Sequence, residues 1–254
     1  MRRIVFLTYG VVCYLIFLAI VFPYSVGFLG NFGTPTTLDA EPTRPTMQAF
    51  IVNLVLLTIF ALQHSIMARP WFKDWWTRFV PQPIERSTYV LFSNAAMILV
   101  FAFWEPLGGT VWQLSGVGKT IMYILFAMGW VTVLYSTFLL NHFDLFGLRQ
   151  VWLYWKGQEY TALPFRTPTL YRHVRHPLYV GWLMVFWFTP TMTVSHFFFA
   201  AATSAYILIA IQFEERDLQE ALPEYAEYRS RVPMLVPFRL PMTGDEPVQR
   251  AQES

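Results

Sequence analysis

The chain has 254 residues, 55% hydrophobic and only 13% charged, where a soluble domain carries about 25% charged residues. That excludes a disordered chain and leaves too little charge for a soluble globular one, and the length suits one domain or two small ones. The net charge of +2 points to no nucleic-acid partner, and the single cysteine, Cys13, forms neither an intrachain disulfide nor a paired-cysteine redox or zinc site.

Five stretches lack Asp, Glu, Lys and Arg: residues 4–38, 45–68, 87–104, 120–143 and 176–213. About 20 apolar residues cross a bilayer as helix. The first stretch predicts a span and then a loop, because Gly30, Gly33 and Pro35 break its far end. Arg2-Arg3 ahead of an apolar run resembles a secretory signal, but the run is too long and no small-x-small cleavage site follows, so a retained span is expected. The next three stretches predict one span each. The last, with Pro190 near its middle, predicts a hairpin of two short spans.

The expectation is an all-α integral membrane protein with six transmembrane helices, the last two a short helical hairpin. With six spans, residues 1–3, 69–87, 141–177 and 214–254 share one side and hold 16 of the 18 Lys and Arg residues. Only Arg44 and Lys119 fall on the other side, a split that places both termini in the cytoplasm. Residues 1–240 read as a single membrane domain and 241–254 as a flexible tail.

Several segments carry candidate chemistry. Gly116-x-Gly118-Lys119-Thr120 resembles a phosphate loop, but Gln113 stands where the first glycine is required and the segment falls outside. His64 and His142 sit near the cytoplasmic ends of the second and fourth spans, and ionisable groups at that depth are functional by default. They read either as haem ligands or as polar groups facing the bundle interior. Neither belongs to a regular metal spacing, and His173-x-x-His176 lacks a supporting carboxylate, so no metal site is expected.

Residues 141–149 bring Asn141, His142, Asp144 and Arg149 together among aromatics where the fourth span meets the cytoplasm. That is either a helix end with an Asp–Arg pair or the mouth of a membrane-facing pocket. Residues 172–181 set two Arg, two His and Tyr179 at the start of a span, with Pro177 suited to its first turn. The hairpin returns the chain to the same face at Glu214-Glu215-Arg216-Asp217. This pairing reads as salt-bridged helix ends or as a site for a ligand bearing a carboxylate and an amine.

Arg175-His176-Pro177-x-Tyr179-x-Gly181, followed by Glu214-Glu215-x-x-Leu218, Tyr225-x-x-Tyr228 and Pro233, resembles the C-terminal signature of the isoprenylcysteine carboxyl methyltransferase superfamily. The resemblance covers about residues 120–238 and implies an S-adenosyl-L-methionine cofactor bound by that part of the chain. It implies that His176, Tyr179 and Gly181, with Pro177 in the same motif, line the cofactor site. Arg175 would lie near the cofactor's carboxylate and Glu214 or Glu215 would hold its amine, with Arg149 in the binding set. NHFDLFGLRQ (141–150), LPFRTP (163–168) and LQHSIMAR (62–69) resemble the bacterial methanethiol S-methyltransferases. That likeness implies methylation of a small thiol, methanethiol, to dimethyl sulfide in the bacterial inner membrane, with the active site near the cytoplasmic face. Other branches of the superfamily methylate lipids or prenylated cysteines.

On that reading the attacking species is a thiolate, which needs a base. His142 is favoured because an imidazole titrates near neutrality. Asp144 and His64 are the other candidates, and Asn141 would position the thiol or the cofactor. Tyr135, Phe143, Phe146 and Tyr179 are candidate ring faces for a sulfonium. A non-enzymatic haem or quinone module and a transporter are the rival classes, though the paired broken spans of many transporters are not found.

Overall fold

A computed structural model describes residues 1–237. The expected tail, 241–254, lies outside the described residues. The first apolar stretch forms α1 (Arg2–Ile16) and α2 (Phe22–Gly30), joined by a π-helical turn at Phe17–Val21. Pro23 accounts for the wide turn: it lacks an N–H, and its ring would strike the carbonyl four residues back. Asn31 ends the helix in the left-handed conformation, φ 60°.

Next come α3 (Thr46–Ala68) and the short α4 (Pro70–Trp76), whose exposed Trp71 and Trp75 suit a membrane interface. Then follow α5 (Gln82–Phe103), β1 (Thr110–Gln113), α6 (Gly116–Leu140), α7 (His142–Leu145) and α8 (Leu148–Lys156). The last elements of the described residues are α9 (Pro177–Trp187), β2 (Thr191–Thr193), α10 (Val194–Ala221) and α11 (Tyr225–Arg231).

Among the described residues, five helices are long and apolar enough to cross a membrane: Arg2–Gly30, Thr46–Ala68, Gln82–Phe103, Gly116–Leu140 and Val194–Ala221. The protein is therefore a helical integral membrane protein. The expected hairpin of two short spans is instead a short helix and a long one. α9 has 11 residues and α10 has 28. Pro190 lies between the helices, so it interrupts neither. Beyond Phe213 the charged residues 214–221 continue the helix, because Glu, Arg, Gln and Leu are all good helix formers.

The inner faces of the helices bury Phe28, Val100, Phe126, Val185 and Ile211, while Ile124 and Val131 point outward toward lipid. At the end opposite the charged helix ends, β1 pairs antiparallel with β2, Thr110 against Thr193. The 31–45 loop is tied there by Asp39. Thr193 Oγ1 donates to Asp39 Oδ1 at 2.6 Å, and the buried His196 ring meets Oδ2 at 3.1 Å.

The contact that matters most for the site is between α6 and α9. A Cβ on Gly181 would lie 2.8 Å from the Val133 backbone nitrogen and 2.9 Å from the Gly129 carbonyl oxygen. The two backbones touch because both positions are glycine, the small-residue packing common between membrane helices. The C-terminal end of α6 and the N-terminal end of α9 are held side by side as a result.

Candidate active site

α6 stops at Leu140 because Asn141 takes a left-handed backbone, φ 88°, which asparagine tolerates. The Asn141 Oδ1 accepts the Asp144 N–H at 3.1 Å and so starts α7. Gly147, at φ 85°, completes the reversal; a Cβ there would lie 2.7 Å from the Ser87 backbone nitrogen. The reversal turns His142 inward and leaves it 3% exposed. Its ring stacks on Phe138, centroids 4.3 Å apart, and meets Tyr14, Phe143 and Phe146 at 5.6, 5.5 and 4.8 Å.

Both ring nitrogens of His142 are bonded. Nδ1 lies 2.8 Å from Thr137 Oγ1, and Nε2 lies 2.8 Å from the Tyr14 hydroxyl. Burial holds the pKa of His142 below the usual histidine value, so the ring is neutral at neutral pH.

Arg175 and His176 sit just before α9, which opens on Pro177. Both reach the carboxylate of Glu215. Arg175 Nε is 2.7 Å and His176 Nε2 is 2.9 Å from Oε1, while Arg229 Nε is 2.9 Å from Oε2. The Glu215 side chain is 2% exposed, and burial at that depth is tolerable because both oxygens face charged or ring N–H donors. Glu214, next in the helix, is 40% exposed at its side chain and accepts a hydrogen bond from the Tyr179 hydroxyl at 2.8 Å. The backbone N–H groups of Arg175 and His176 donate to the Pro233 and Met234 carbonyls at 2.9 and 3.2 Å, which pins the C-terminal segment over the site.

These two constructions share a cavity of about 610 Å³. Phe138, Asn141, His142 and Phe143 line it from the α6–α7 turn; Phe165, Arg175, His176, Glu214, Tyr225 and Tyr228 complete the wall. Burial raises the pKa of Tyr171 and Tyr225 and pushes that of Tyr228 up to about 12, so these phenols stay neutral. The Tyr225 hydroxyl is buried and has no hydrogen-bond partner among the described residues. A second cavity, about 760 Å³, touches the same turn through Asp144 and Leu145 and is lined also by Arg3, Lys73 and Arg86.

The chain is 56% identical to methanethiol S-methyltransferase of Crocosphaera subtropica over 94% of each chain. It is 49% identical to methanethiol S-methyltransferase of Mycobacterium tuberculosis, over 94% of this chain and 98% of the relative. The chain belongs to the methanethiol S-methyltransferase family. It is also similar to nurim of Rattus norvegicus, 27% identical over 72% of each chain. No protein-family model matches it, and no solved structure does.

Asn141, His142, Arg175, His176 and Glu214 of this methyltransferase line one cavity. Glu215 lies behind that wall and holds Arg175 and His176 in place, and Tyr179 acts on the wall through Glu214. Pro177 forms the first turn of α9, and Gly181 lies one turn on in the contact with α6. Asp144 does not pair with His142. It pairs with Arg149 at 2.9 Å, and Arg149 also donates to the Thr161 carbonyl at 2.9 Å. His64 lies between α3 and α5, stacked on Phe60 and bonded to the Tyr89 and Ser93 hydroxyls, and lines neither of the two cavities described above.

Two residues that complete the His142 environment were not singled out in the sequence, Tyr14 and Thr137. A phenol inside an apolar run is a detectable signal. Nothing in the sequence, however, links positions 128 apart.

Proposed function

We propose that the enzyme transfers a methyl group from S-adenosyl-L-methionine to methanethiol, giving dimethyl sulfide, at the cytoplasmic face of a bacterial inner membrane. The observation that carries this reading is the single cavity holding the His142 turn together with the Arg175–His176–Glu214 set.

The lining suits the cofactor. Glu214 offers a partly exposed carboxylate to its amine, and Arg175 offers a guanidinium to its carboxylate. Phe165, Tyr225 and Tyr228 present ring faces that attract a cation by about 0.5–2 kcal/mol each. The unpartnered Tyr225 hydroxyl is left to bond a polar group of the ligand. The volume falls within the roughly 300–1,000 Å³ of small-molecule sites. Bound there, S-adenosylmethionine supplies a methyl group activated as a sulfonium.

The chain's own task is to deliver a thiolate and keep water away. His142 accepts the thiol proton, and its depressed pKa keeps it unprotonated at neutral pH. The rings of Phe138, Phe143 and Phe146 around it leave an apolar environment suited to a small thiol. Asn141 shapes the turn that aims His142 inward and lines the cavity beside it.

The frame for this chemistry is a six-span domain, residues 1–240, with both termini cytoplasmic and the short α9 as the fifth crossing. Its support is the 16-to-2 division of Lys and Arg. At 1.5 Å per residue α9 covers about 16 Å, roughly half the hydrocarbon core, and the β-ribbon at its outer end makes up depth.

The test uses purified protein in lipid nanodiscs, methanethiol and S-adenosylmethionine carrying an isotopic label on the methyl group. Labelled dimethyl sulfide in the headspace is expected. Its absence, with no binding of S-adenosylhomocysteine by calorimetry, overturns the reading.

A further inference from the structure

The hydrogen bonds around His142 fix where each proton sits. Thr137 Oγ1 lies 2.7 Å from the Leu134 carbonyl oxygen. Two oxygens at that distance need a hydrogen between them, and only the threonine has one. Thr137 therefore accepts in its other bond, from His142 Nδ1–H at 2.8 Å. A neutral imidazole carries a single N–H, so Nε2 is bare and accepts the Tyr14 O–H at 2.8 Å. The Tyr14 oxygen makes no other hydrogen bond among the described residues, so a lone pair is open. Tyr14 is half-buried, its ring set among Phe17, Phe143 and Phe146 at 6.5, 6.4 and 5.9 Å.

The basic nitrogen of His142 is thus covered by Tyr14. Tyr14 packs on Phe143, which lines the cavity; resting on the methyl-transfer reading above, we infer that Tyr14 meets the thiol at that edge of the cavity and relays its proton to His142. The thiol S–H bond breaks as its proton joins the Tyr14 oxygen. In the same step the original Tyr14 O–H bond breaks and that proton joins His142 Nε2. Thiolate and imidazolium result, and Tyr14 is unchanged. The thiolate then takes the methyl group, and the imidazolium sends its proton back through Tyr14 to water.

The bonds already present serve both states. Nδ1–H stays on Thr137 throughout, and the new Nε2–H donates to the Tyr14 oxygen. Thr137 is a positioning residue, since it fixes the tautomer that leaves Nε2 bare. The other titratable or charged groups facing the ring are Arg166, Tyr171, Arg175, His176, Glu214, Tyr225 and Tyr228 around the cavity, with Asp144 two residues on and held by Arg149. Of all these only Tyr14 bonds to His142.

Tyr14→Phe keeps the ring and removes the oxygen. In the full chain in nanodiscs, with saturating S-adenosylmethionine, turnover is expected to fall on the order of 100-fold near pH 6.5. The loss narrows toward about pH 9, where more of an ordinary thiol is already thiolate. Calorimetric affinity for S-adenosylhomocysteine stays within about twofold of wild type. Tyr14→Phe/His142→Ala is no slower than either single variant, because the two act as one unit. Wild-type turnover by Tyr14→Phe, a loss constant across pH, or additive losses overturn the relay.

Should Tyr14→Phe fail to fold, the wild-type protein still decides. Two protons moving together bow the plot of rate against deuterium fraction, and a straight line overturns the relay. A wild-type protein that methylates no thiol overturns the methyl-transfer reading and the relay with it. An active wild type with an indifferent Tyr14→Phe overturns the relay alone.

Discussion

Glu214 and Glu215 are neighbours with different work, because successive residues on a helix point about 100° apart. Glu215 faces inward, and removing it leaves Arg175 and His176 buried without their carboxylate. Glu215→Ala should cost about 3–5 kcal/mol of stability, seen as a large fall in Tm, together with cofactor binding. Glu214→Gln should leave Tm nearly unchanged and weaken S-adenosylmethionine about tenfold or more, read by calorimetry. Equal losses of stability in the two variants would contradict this division. His142 gives a pH prediction of known sign. Burial lowers its pKa, so the neutral form persists below the ordinary histidine range. The acid limb of the rate profile should therefore fall below about pH 6.5. His142→Ala should lose that limb.

Among elements, the α6–α9 contact does more than hold two helices together. It brings the His142 turn, at the C-terminal end of α6, beside Arg175 and His176, at the N-terminal end of α9. Gly181→Leu places a side chain where the α6 backbone already is. Overpacking of this kind costs about 1–3 kcal/mol. Here the helices must also separate, so cofactor affinity should fall although no lining residue is changed. Gly181→Leu with wild-type affinity would show that the contact does not set the site.

For the whole molecule, the end rich in charged helix termini carries the cavity, and the opposite end is closed by the β-ribbon and the Asp39–Thr193–His196 cluster. The topology follows from charge: reporter fusions after Arg44 and after Lys119 should report outside, and one at Gln158 inside. A cytoplasmic signal from the Arg44 fusion would break the six-span frame.

How much of this was legible in the sequence varies with how local each cause is. Charge-free runs are one-dimensional, so the long spans at 46–68 and 116–140 read directly from composition. The unequal hairpin was less legible, since a proline at 190 marks a break without saying how far each arm extends. The turn at residues 141–147 was legible in part. Asn141, His142 and Gly147 are the residue types that end a helix and reverse it, but the Asp144–Arg149 pair emerged only with the backbone's path.

By itself the sequence determined the membrane class, the expected sidedness and the family resemblance, because hydropathy, charge and motif spacing are carried along the chain. Only the tertiary structure decided which titratable groups share a cavity and which nitrogen of His142 is bare. Those depend on Tyr14 reaching His142 across 128 residues and on two glycines letting helices touch. Such contacts are set by packing in three dimensions, and no local pattern encodes them.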